Sequence, residues 1–364
     1  MARPSVTAVA GVAGVAGVAG LGAVLAALLL PWQPPAAPPA AALAIHAAPA
    51  ASRASGEPAR QAPAAPSPGP RPPVSPPAPP TPDGAARADA ALRREGRDFI
   101  GGGFLAVPQA FGSADGGYDV VVHFHGNTDL VEESYRVSKL SAVVLILNHD
   151  GTGSGVYESR YYHPAVLSHL LERVRAALEA RGLRGARQRR LALSAWSAGY
   201  GAVLRSLAQP EHVETIDAVL LLDGLHCGYT TDHTPDVARL DPFTRFARRA
   251  LAGDRLFSIT HSEIQPAGAY AGTRQATDAI LSLLGVRRTP LAEAPPLPAL
   301  ASMRGVLRAE LLRPLDPLTQ ARSGGLVVRG YAGAREEHHA MHLVQMSVTA
   351  LPDLVRFWST PRPR

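Results

Sequence analysis

Short apolar runs separated by longer helix-like segments make up the chain from Tyr118 onward. Candidate strands cover residues 119–124, 142–147, 190–196, 218–222, 255–260 and 325–328, and helix-like stretches cover residues 165–180, 199–207, 242–251, 272–284 and 341–358. Continuous apolar strands are typical of parallel strands buried on both faces, and their alternation with helices indicates βα units. The sequence therefore predicts an α/β fold with a mostly parallel central sheet and helices on both faces. Residues 104–107 are expected to add an earlier, antiparallel strand.

Proline restricts this fold to the later part of the chain. Of 34 prolines, 18 lie between Pro31 and Pro82, in a stretch with few large apolar side chains. Such a segment buries too little apolar surface to offset the entropy lost on ordering. We expect residues 33–94 to be a disordered Pro/Ala-rich linker that acts as a semi-rigid spacer, and residues 95–364 to form one folded domain.

The first 32 residues predict export. An uncharged apolar stretch from residue 6 to residue 30 follows Arg3 and ends at Pro31. It is long enough to be the core of a signal peptide or to span a bilayer. Residues 1–32 are therefore expected to be a signal peptide or an N-terminal membrane anchor, which implies a periplasmic, membrane-anchored or secreted protein. A cytoplasmic protein with a low-complexity tail is the alternative.

The net charge of +6 does not indicate a nucleic-acid partner. Residues 1–82 hold four arginines and one glutamate, so half of the charge lies outside the folded part. The remaining basic residues form no clustered stripe, and Lys139 is the only lysine. The single cysteine, Cys227, excludes an intrachain disulfide.

The residues around Ser197 predict a nucleophile elbow. An apolar strand runs directly into Ser197, a helix begins immediately afterwards, and the small residues Ala195 and Gly199 lie two positions to either side. A sharp strand-to-helix turn needs small residues there, because the two backbones pack closely, and it exposes the serine hydroxyl at the helix N-terminus. The alternative is an ordinary serine that caps its own helix.

This arrangement resembles the α/β-hydrolase superfamily of serine esterases, lipases and peptidases, whose elbow reads Gly-x-Ser-x-Gly. Ala195 occupies the position of the first glycine. Upstream, His-Phe-His-Gly-Asn at 123–127 is similar to the family's oxyanion loop, which follows the third strand. The resemblance implies an oxyanion hole formed by the amide of Ala198 and an amide at Gly126 or Asn127. It gives the two histidines of this loop no direct catalytic role.

The resemblance also implies an acid that orients a histidine. Asp223 directly follows the strand at 218–222, at the edge of the sheet where open α/β folds bind their ligands. The family more often carries its acid after the next strand, where Glu263 is available. We favour Asp223 because it follows an unbroken apolar run. A simple turn before Gly224 is the alternative.

Three histidines follow the last strand, which is where the family carries its catalytic base. These are His338, His339 and His342. If a helix begins near His339, then Leu343 faces inward and His339 lies over the helix N-terminus. We favour His339, then His342, then His338. The chain order Ser197, Asp223, His339 is that of the family.

The implied activity is acyl transfer to water through an acyl-enzyme, without a cofactor or metal. The expected substrate is a small-molecule or lipid-like ester, and an amide or peptide stays open. Specificity depends on loops around the site, here expected at 227–242 and 263–272. The glycine-rich segment 148–158 lacks a P-loop lysine and a third Rossmann glycine, so it is expected to line the rim of the site.

Two other interpretations stay open. His338 and His342 stand four residues apart, as zinc ligands on a helix can, so the cluster of His338, His339 and His342 could serve a metal-dependent hydrolase. The chain has no His-Glu-x-x-His motif, which argues against this. The second alternative is a non-catalytic, surface-tethered binding domain that keeps the same fold. The presence of serine, acid and histidine candidates at suitable strand ends argues against it.

Overall fold

A computed structural model describes residues 92–151, 153–266, 270–303 and 305–360. The signal peptide or anchor expected at 1–32 lies outside these ranges, as does the linker expected at 33–94 apart from its last three residues. Among those three, Leu92 is buried in the core. Within the described ranges, no helix has both the length and the apolar character needed to cross a membrane.

Twelve strands are present in the described residues. They are β1 Asp98–Ile100, β2 Gly103–Ala106, β3 Gly117–Phe124, β4 Val143–Leu147, β5 Arg187–Trp196, β6 Ala218–Leu222, β7 Cys227–Gly228, β8 Leu256–His261, β9 Tyr270–Ala271, β10 Thr289–Pro290, β11 Pro317–Ser323 and β12 Leu326–Tyr331. Ten of them form one sheet in the order β1-β2-β4-β3-β5-β6-β8-β12-β11-β10, and β7 pairs separately with β9. The six strands from β4 to β12 in this order are parallel, and the strands outside them are antiparallel.

Ten α-helices accompany the sheet in the described residues. They are α1 Thr128–Ser138, α2 Ser154–Arg160, α3 Ala165–Ala180, α4 Tyr200–Leu207, α5 Pro210–Val213, α6 Asp241–Leu251, α7 Thr273–Leu283, α8 Glu336–Val344, α9 Met346–Thr349 and α10 Leu351–Ser359.

The core consists of two apolar layers, one on each face of the sheet. Side chains alternate along a strand, so Val120 and Val122 of β3 enter one layer and Val121 enters the other. Helices α3, α4, α6 and α7 cover the first layer, and α1 with α8–α10 covers the second. The α/β fold class, with a mostly parallel sheet and helices on both faces, is confirmed. All six predicted parallel strands are present, and the expected antiparallel strand is β2.

Two helices were not expected from the sequence. Helix α1 was not predicted; its N-cap Asn127 accepts a hydrogen bond from Leu130 N at 2.9 Å. Its buried residues Leu130, Val131 and Tyr135 follow a helical period, which was the available signal. The segment 148–158 is not a loop throughout, because α2 begins at Ser154.

The predicted helix over 341–358 is three helices, and the first begins at Glu336 rather than near His339. The chain turns at Gln345, whose side-chain amide donates to Arg313 O and accepts from Leu315 N. Pro352 lies in the first turn of α10, where its missing N–H leaves no intrahelical bond unmade.

Candidate active site

Left-handed backbone occurs at the carboxyl ends of three adjacent strands. His125 after β3, Ser197 after β5 and Asp223 after β6 have φ of 71°, 50° and 45°. This conformation costs a non-glycine residue about 1–3 kcal/mol, and such residues concentrate at functional sites. The turns also pack against each other, since a Cβ on Gly199 would lie 2.2 Å from Phe124 O and one on Gly224 would lie 2.4 Å from Ser197 O. The strained turns therefore meet at one edge of the sheet.

The strand–turn–helix geometry expected around Ser197 is present. β5 ends at Trp196, residues Ser197–Gly199 form a single 3₁₀ turn, and α4 starts at Tyr200. The N–H groups of such a first turn lack partners within the helix. Among the described residues, Ser197 Oγ makes no hydrogen bond. Catalytic hydrogen bonds are often long before a substrate binds.

Asp223 and His339 are in direct contact. Asp223 Oδ2 lies 2.9 Å from His339 Nδ1, and both side chains are buried. Ser262 donates its backbone N–H to Asp223 Oδ1 at 2.9 Å and its hydroxyl to Asp223 Oδ2 at 2.7 Å. An ionised carboxylate only accepts, so His339 Nδ1 carries a proton, and in the neutral form of the ring the lone pair is on Nε2.

The electrostatic surroundings keep Asp223 ionised. Burial alone would raise its pKa, but the charge of His342, the hydrogen bond and charge of His339, and the hydrogen bond from Ser262 outweigh this effect. The pKa of Asp223 therefore lies well below its ordinary value.

Trp196 holds His339 beside the serine turn. Its indole stacks on the imidazole of His339 with ring centroids 4.8 Å apart, and its Nε1–H donates to His339 O at 3.1 Å. The indole also stacks on His125, with ring centroids 5.3 Å apart and an interplanar angle of 12°. This role of Trp196 was not predicted from the sequence. The only available signal was a large aromatic residue immediately before the elbow serine.

The loop after β3 distinguishes the two amides expected as oxyanion donors. Gly126 N–H donates to Asn148 Oδ1 at 2.9 Å, so it is engaged inside the protein. The amide N–H of Asn127 has no partner among the described residues. The carbonyl and side-chain oxygens of Asn127 accept from Val131 N and Leu130 N at the start of α1.

The other sequence candidates make their hydrogen bonds and ion pairs with other residues than Asp223 and His339. Glu263 pairs with Arg274 at 2.6 Å. His342 is fully buried with Nδ1 2.9 Å from Thr260 Oγ1, and burial lowers its pKa to about 4. His338 Nδ1 accepts from Arg335 N at 3.3 Å. The three neighbouring histidines thus have three different partners. In the part of the chain that the structure describes, no three His, Cys, Asp or Glu side chains are grouped to hold a metal.

Strand order and strand-end residues together decide the fold family. The order β1-β2-β4-β3-β5-β6-β8-β12 carries the serine after β5, the acid after β6 and the histidine in the helix after β12. The chain has the α/β-hydrolase fold. The resemblance noted from the sequence is confirmed at the level of fold.

Three solved structures are similar to this chain at low sequence identity. The LpqC poly(3-hydroxybutyrate) depolymerase from Bordetella parapertussis is 16% identical, with a TM-score of 0.39, and the match covers 72% of this chain and 93% of that chain. The siderophore hydrolase EstB from Aspergillus nidulans is 13% identical, with a TM-score of 0.38 and coverage of 75% and 99%. A soluble variant of monoglyceride lipase from Saccharomyces cerevisiae is 11% identical, with a TM-score of 0.35 and coverage of 74% and 95%. No family model and no curated protein matches the sequence.

Proposed function

We propose that this α/β-hydrolase is a serine hydrolase that cleaves a carboxylic ester, or an amide, through an acyl-enzyme on Ser197. The observation that carries the proposal is the buried 2.9 Å contact between His339 Nδ1 and Asp223 Oδ2 beside a strained serine turn. A carboxylate that contacts an imidazole, together with a serine hydroxyl at the end of a strand, supplies the components of nucleophilic catalysis by serine.

The proposed reaction begins with His339. Its Nε2 takes the proton of Ser197 Oγ as the oxygen attacks the substrate carbonyl carbon, and it then gives that proton to the leaving alcohol or amine. Asp223 keeps the imidazole in the required tautomer and stabilises its charged form. In the second half, His339 activates water, which attacks the acyl carbon and releases the acid and Ser197.

The negative charge that develops on the carbonyl oxygen needs donors fixed before the reaction. The proposed donors are the backbone amides of Ala198 and Asn127. Preorganised donors of this kind contribute to the rate because they need no reorganisation in the transition state.

The proposed substrate is a small-molecule or lipid-like ester, with an amide as the other possibility. The proposed location is outside the cytoplasm: the protein is periplasmic, membrane-anchored or secreted. Residues 1–32 are proposed to direct this export as a signal peptide or membrane anchor. The apolar stretch in those residues supports this part of the proposal.

Labelling with a fluorophosphonate probe tests the nucleophile without a known substrate. The full-length parent and Ser197→Ala would be compared, with Ser206→Ala as the matched control, because Ser206 is a buried serine on α4 whose hydroxyl donates to Ala202 O. We expect labelling of the parent and of Ser206→Ala and none of Ser197→Ala.

Other outcomes would favour the alternatives. A folded parent that stays unlabelled and cleaves no ester would indicate a binding domain. Ester cleavage that survives Ser197→Ala and stops with a chelator would indicate metal-dependent hydrolysis.

A further inference from the structure

The peptide unit between His125 and Gly126 is held at both of its polar groups. His123 Nε2 lies 3.0 Å from the carbonyl oxygen of His125, and Asn148 Oδ1 accepts the N–H of Gly126 at 2.9 Å. Both partners are side chains from strand interiors or ends, His123 on β3 and Asn148 directly after β4. The orientation of this peptide is therefore set by the sheet.

The tautomer of His123 follows from its partners. A carbonyl only accepts, so Nε2 carries the proton, and Nδ1 accepts from the hydroxyl of Ser194 at 2.9 Å. The ring is completely buried, and burial lowers its pKa to about 3, so it stays neutral over the usual working pH. Ser194 lies on β5, three residues before Ser197, which ties the anchor to the elbow strand.

Asn148 is itself held in position. Its Nδ2 donates to Thr128 Oγ1 at 3.2 Å, in the first turn of α1. One amide side chain thus joins Gly126 to the helix that follows the loop. Asn127 begins that helix, and its carbonyl accepts from Val131 N at 3.0 Å.

The peptide between Gly126 and Asn127 lies between these two anchored segments. His125 and Gly126 have φ of 71° and 132°, a conformation that needs support from its surroundings. The upstream peptide is anchored by His123 and Asn148 and the downstream one by α1. Together they set the direction of the remaining amide, that of Asn127.

We propose that Asn148 is a positioning residue of the oxyanion hole, which with His123 orients the Asn127 N–H toward the reacting carbonyl oxygen. The inference rests on the proposed serine hydrolase activity. It predicts that Asn148 helps to stabilise the transition state and contributes little to the binding of the substrate. The reason is that the negative charge on the carbonyl oxygen is absent from the bound substrate and develops only during the reaction.

Steady-state hydrolysis of p-nitrophenyl acetate by full-length Asn148→Leu tests this role. We expect kcat to fall about 10- to 100-fold with KM nearly unchanged, because a misplaced donor weakens only transition-state contacts. A trifluoromethyl ketone, to whose carbonyl carbon Ser197 Oγ adds while His339 takes the proton, should lose affinity by a similar factor. A purely structural defect would lower the fraction of active protein and leave the inhibitor affinity of the remainder unchanged.

Gln209→Leu is the matched control. Its side-chain amide also holds backbone of another segment, donating to Tyr161 O and Tyr162 O at 2.9 Å, and it lies outside the proposed site. We expect its kcat to equal that of the parent. Thr128→Val and Thr128→Ser provide a second pair in case Asn148→Leu does not fold. The valine variant should lose about three- to tenfold in kcat, and the serine variant, which keeps the hydroxyl, should retain it.

The outcomes separate the two proposals. A parent that neither turns over the ester nor labels at Ser197 would overturn the proposed function and the role of Asn148 with it. A parent active through Ser197 with unchanged kcat in folded Asn148→Leu, or in Thr128→Val, would overturn only the role of Asn148. Equal losses in Asn148→Leu and Gln209→Leu would also overturn it.

Discussion

Asp223 combines three features at the scale of a single residue. It is buried, it has a left-handed backbone, and its carboxylate accepts from two different residues, Ser262 and His339. Glu263, the other sequence candidate, is half-exposed and faces Arg274. Both residues follow strands of the sheet, but only Asp223 contacts His339, because its turn brings the carboxylate next to the first turn of α8.

Asp223→Asn compared with Glu263→Gln tests this difference. An asparagine amide would donate to His339 Nδ1 and leave the proton on Nε2, so the ring could no longer act as a base. We expect kcat for an ester to fall about a thousandfold or more in Asp223→Asn. Glu263→Gln removes only an exposed ion pair and should change kcat by less than about twofold. A larger loss in Glu263→Gln than in Asp223→Asn would contradict the assignment.

At the scale of elements, a buried ion pair attaches α10 to the sheet. Asp353 of α10 is almost completely buried and accepts from Arg329 of β12 at 2.6 and 3.0 Å and from Ser258 of β8 at 2.9 Å. This helix follows α8, which carries His339. A charge that loses its buried partner is strongly destabilising, so the attachment of α10 to β12 and β8 depends on both members of the pair.

Asp353→Ala should therefore lower the free energy of unfolding by about 3–5 kcal/mol, measured by urea denaturation, because Arg329 stays buried without its partner. Asp278→Ala is the comparison. Asp278 is half-exposed and pairs with Arg288 at 2.7 Å, so its loss should cost about 0–1 kcal/mol. Similar effects of the two substitutions would show that the ion pair does not hold α10.

At the scale of the whole molecule, buried histidines make the folded state sensitive to acid. His123, His261 and His342 are buried, and burial lowers their pKa values to about 3, 4 and 4. An unfolded histidine titrates near 6.5, so below that pH the unfolded chain binds protons that the folded chain does not. Stability therefore falls as pH decreases from about 6.5 toward 4. Asp223, with its lowered pKa, adds a loss in the same direction at lower pH.

Urea unfolding between pH 7.5 and pH 5 measures this effect. Each proton that the unfolded chain binds and the folded chain does not changes the free energy of unfolding by about 1.4 kcal/mol per pH unit. His342→Asn, which can keep a contact to Thr260 where Nδ1 stood, should make the pH dependence shallower. The exposed His169→Asn should leave it unchanged. A free energy of unfolding that is constant or rises on acidification would contradict the prediction.

The sequence by itself determined the six parallel strands of the sheet and the position of the nucleophile candidate. The runs that became β3, β4, β5, β6, β8 and β12 are rich in apolar residues, and this composition indicates burial on both faces. Ser197 was identifiable because a nucleophile elbow needs a local pattern, a strand followed by small residues and a helix. Helix α1 was missed because its buried stripe is short and includes the charged residue Glu133.

Tertiary structure alone decided which acid, which histidine and which amide come together. Asp223 and His339 are 116 residues apart in the chain, and neither neighbourhood contains a pattern that specifies the other. Gly126 is engaged because Asn148, 22 residues later in the chain, directly follows the neighbouring strand β4 and accepts its N–H. Such contacts depend on the register and packing of separate elements, and local periodicity does not encode these.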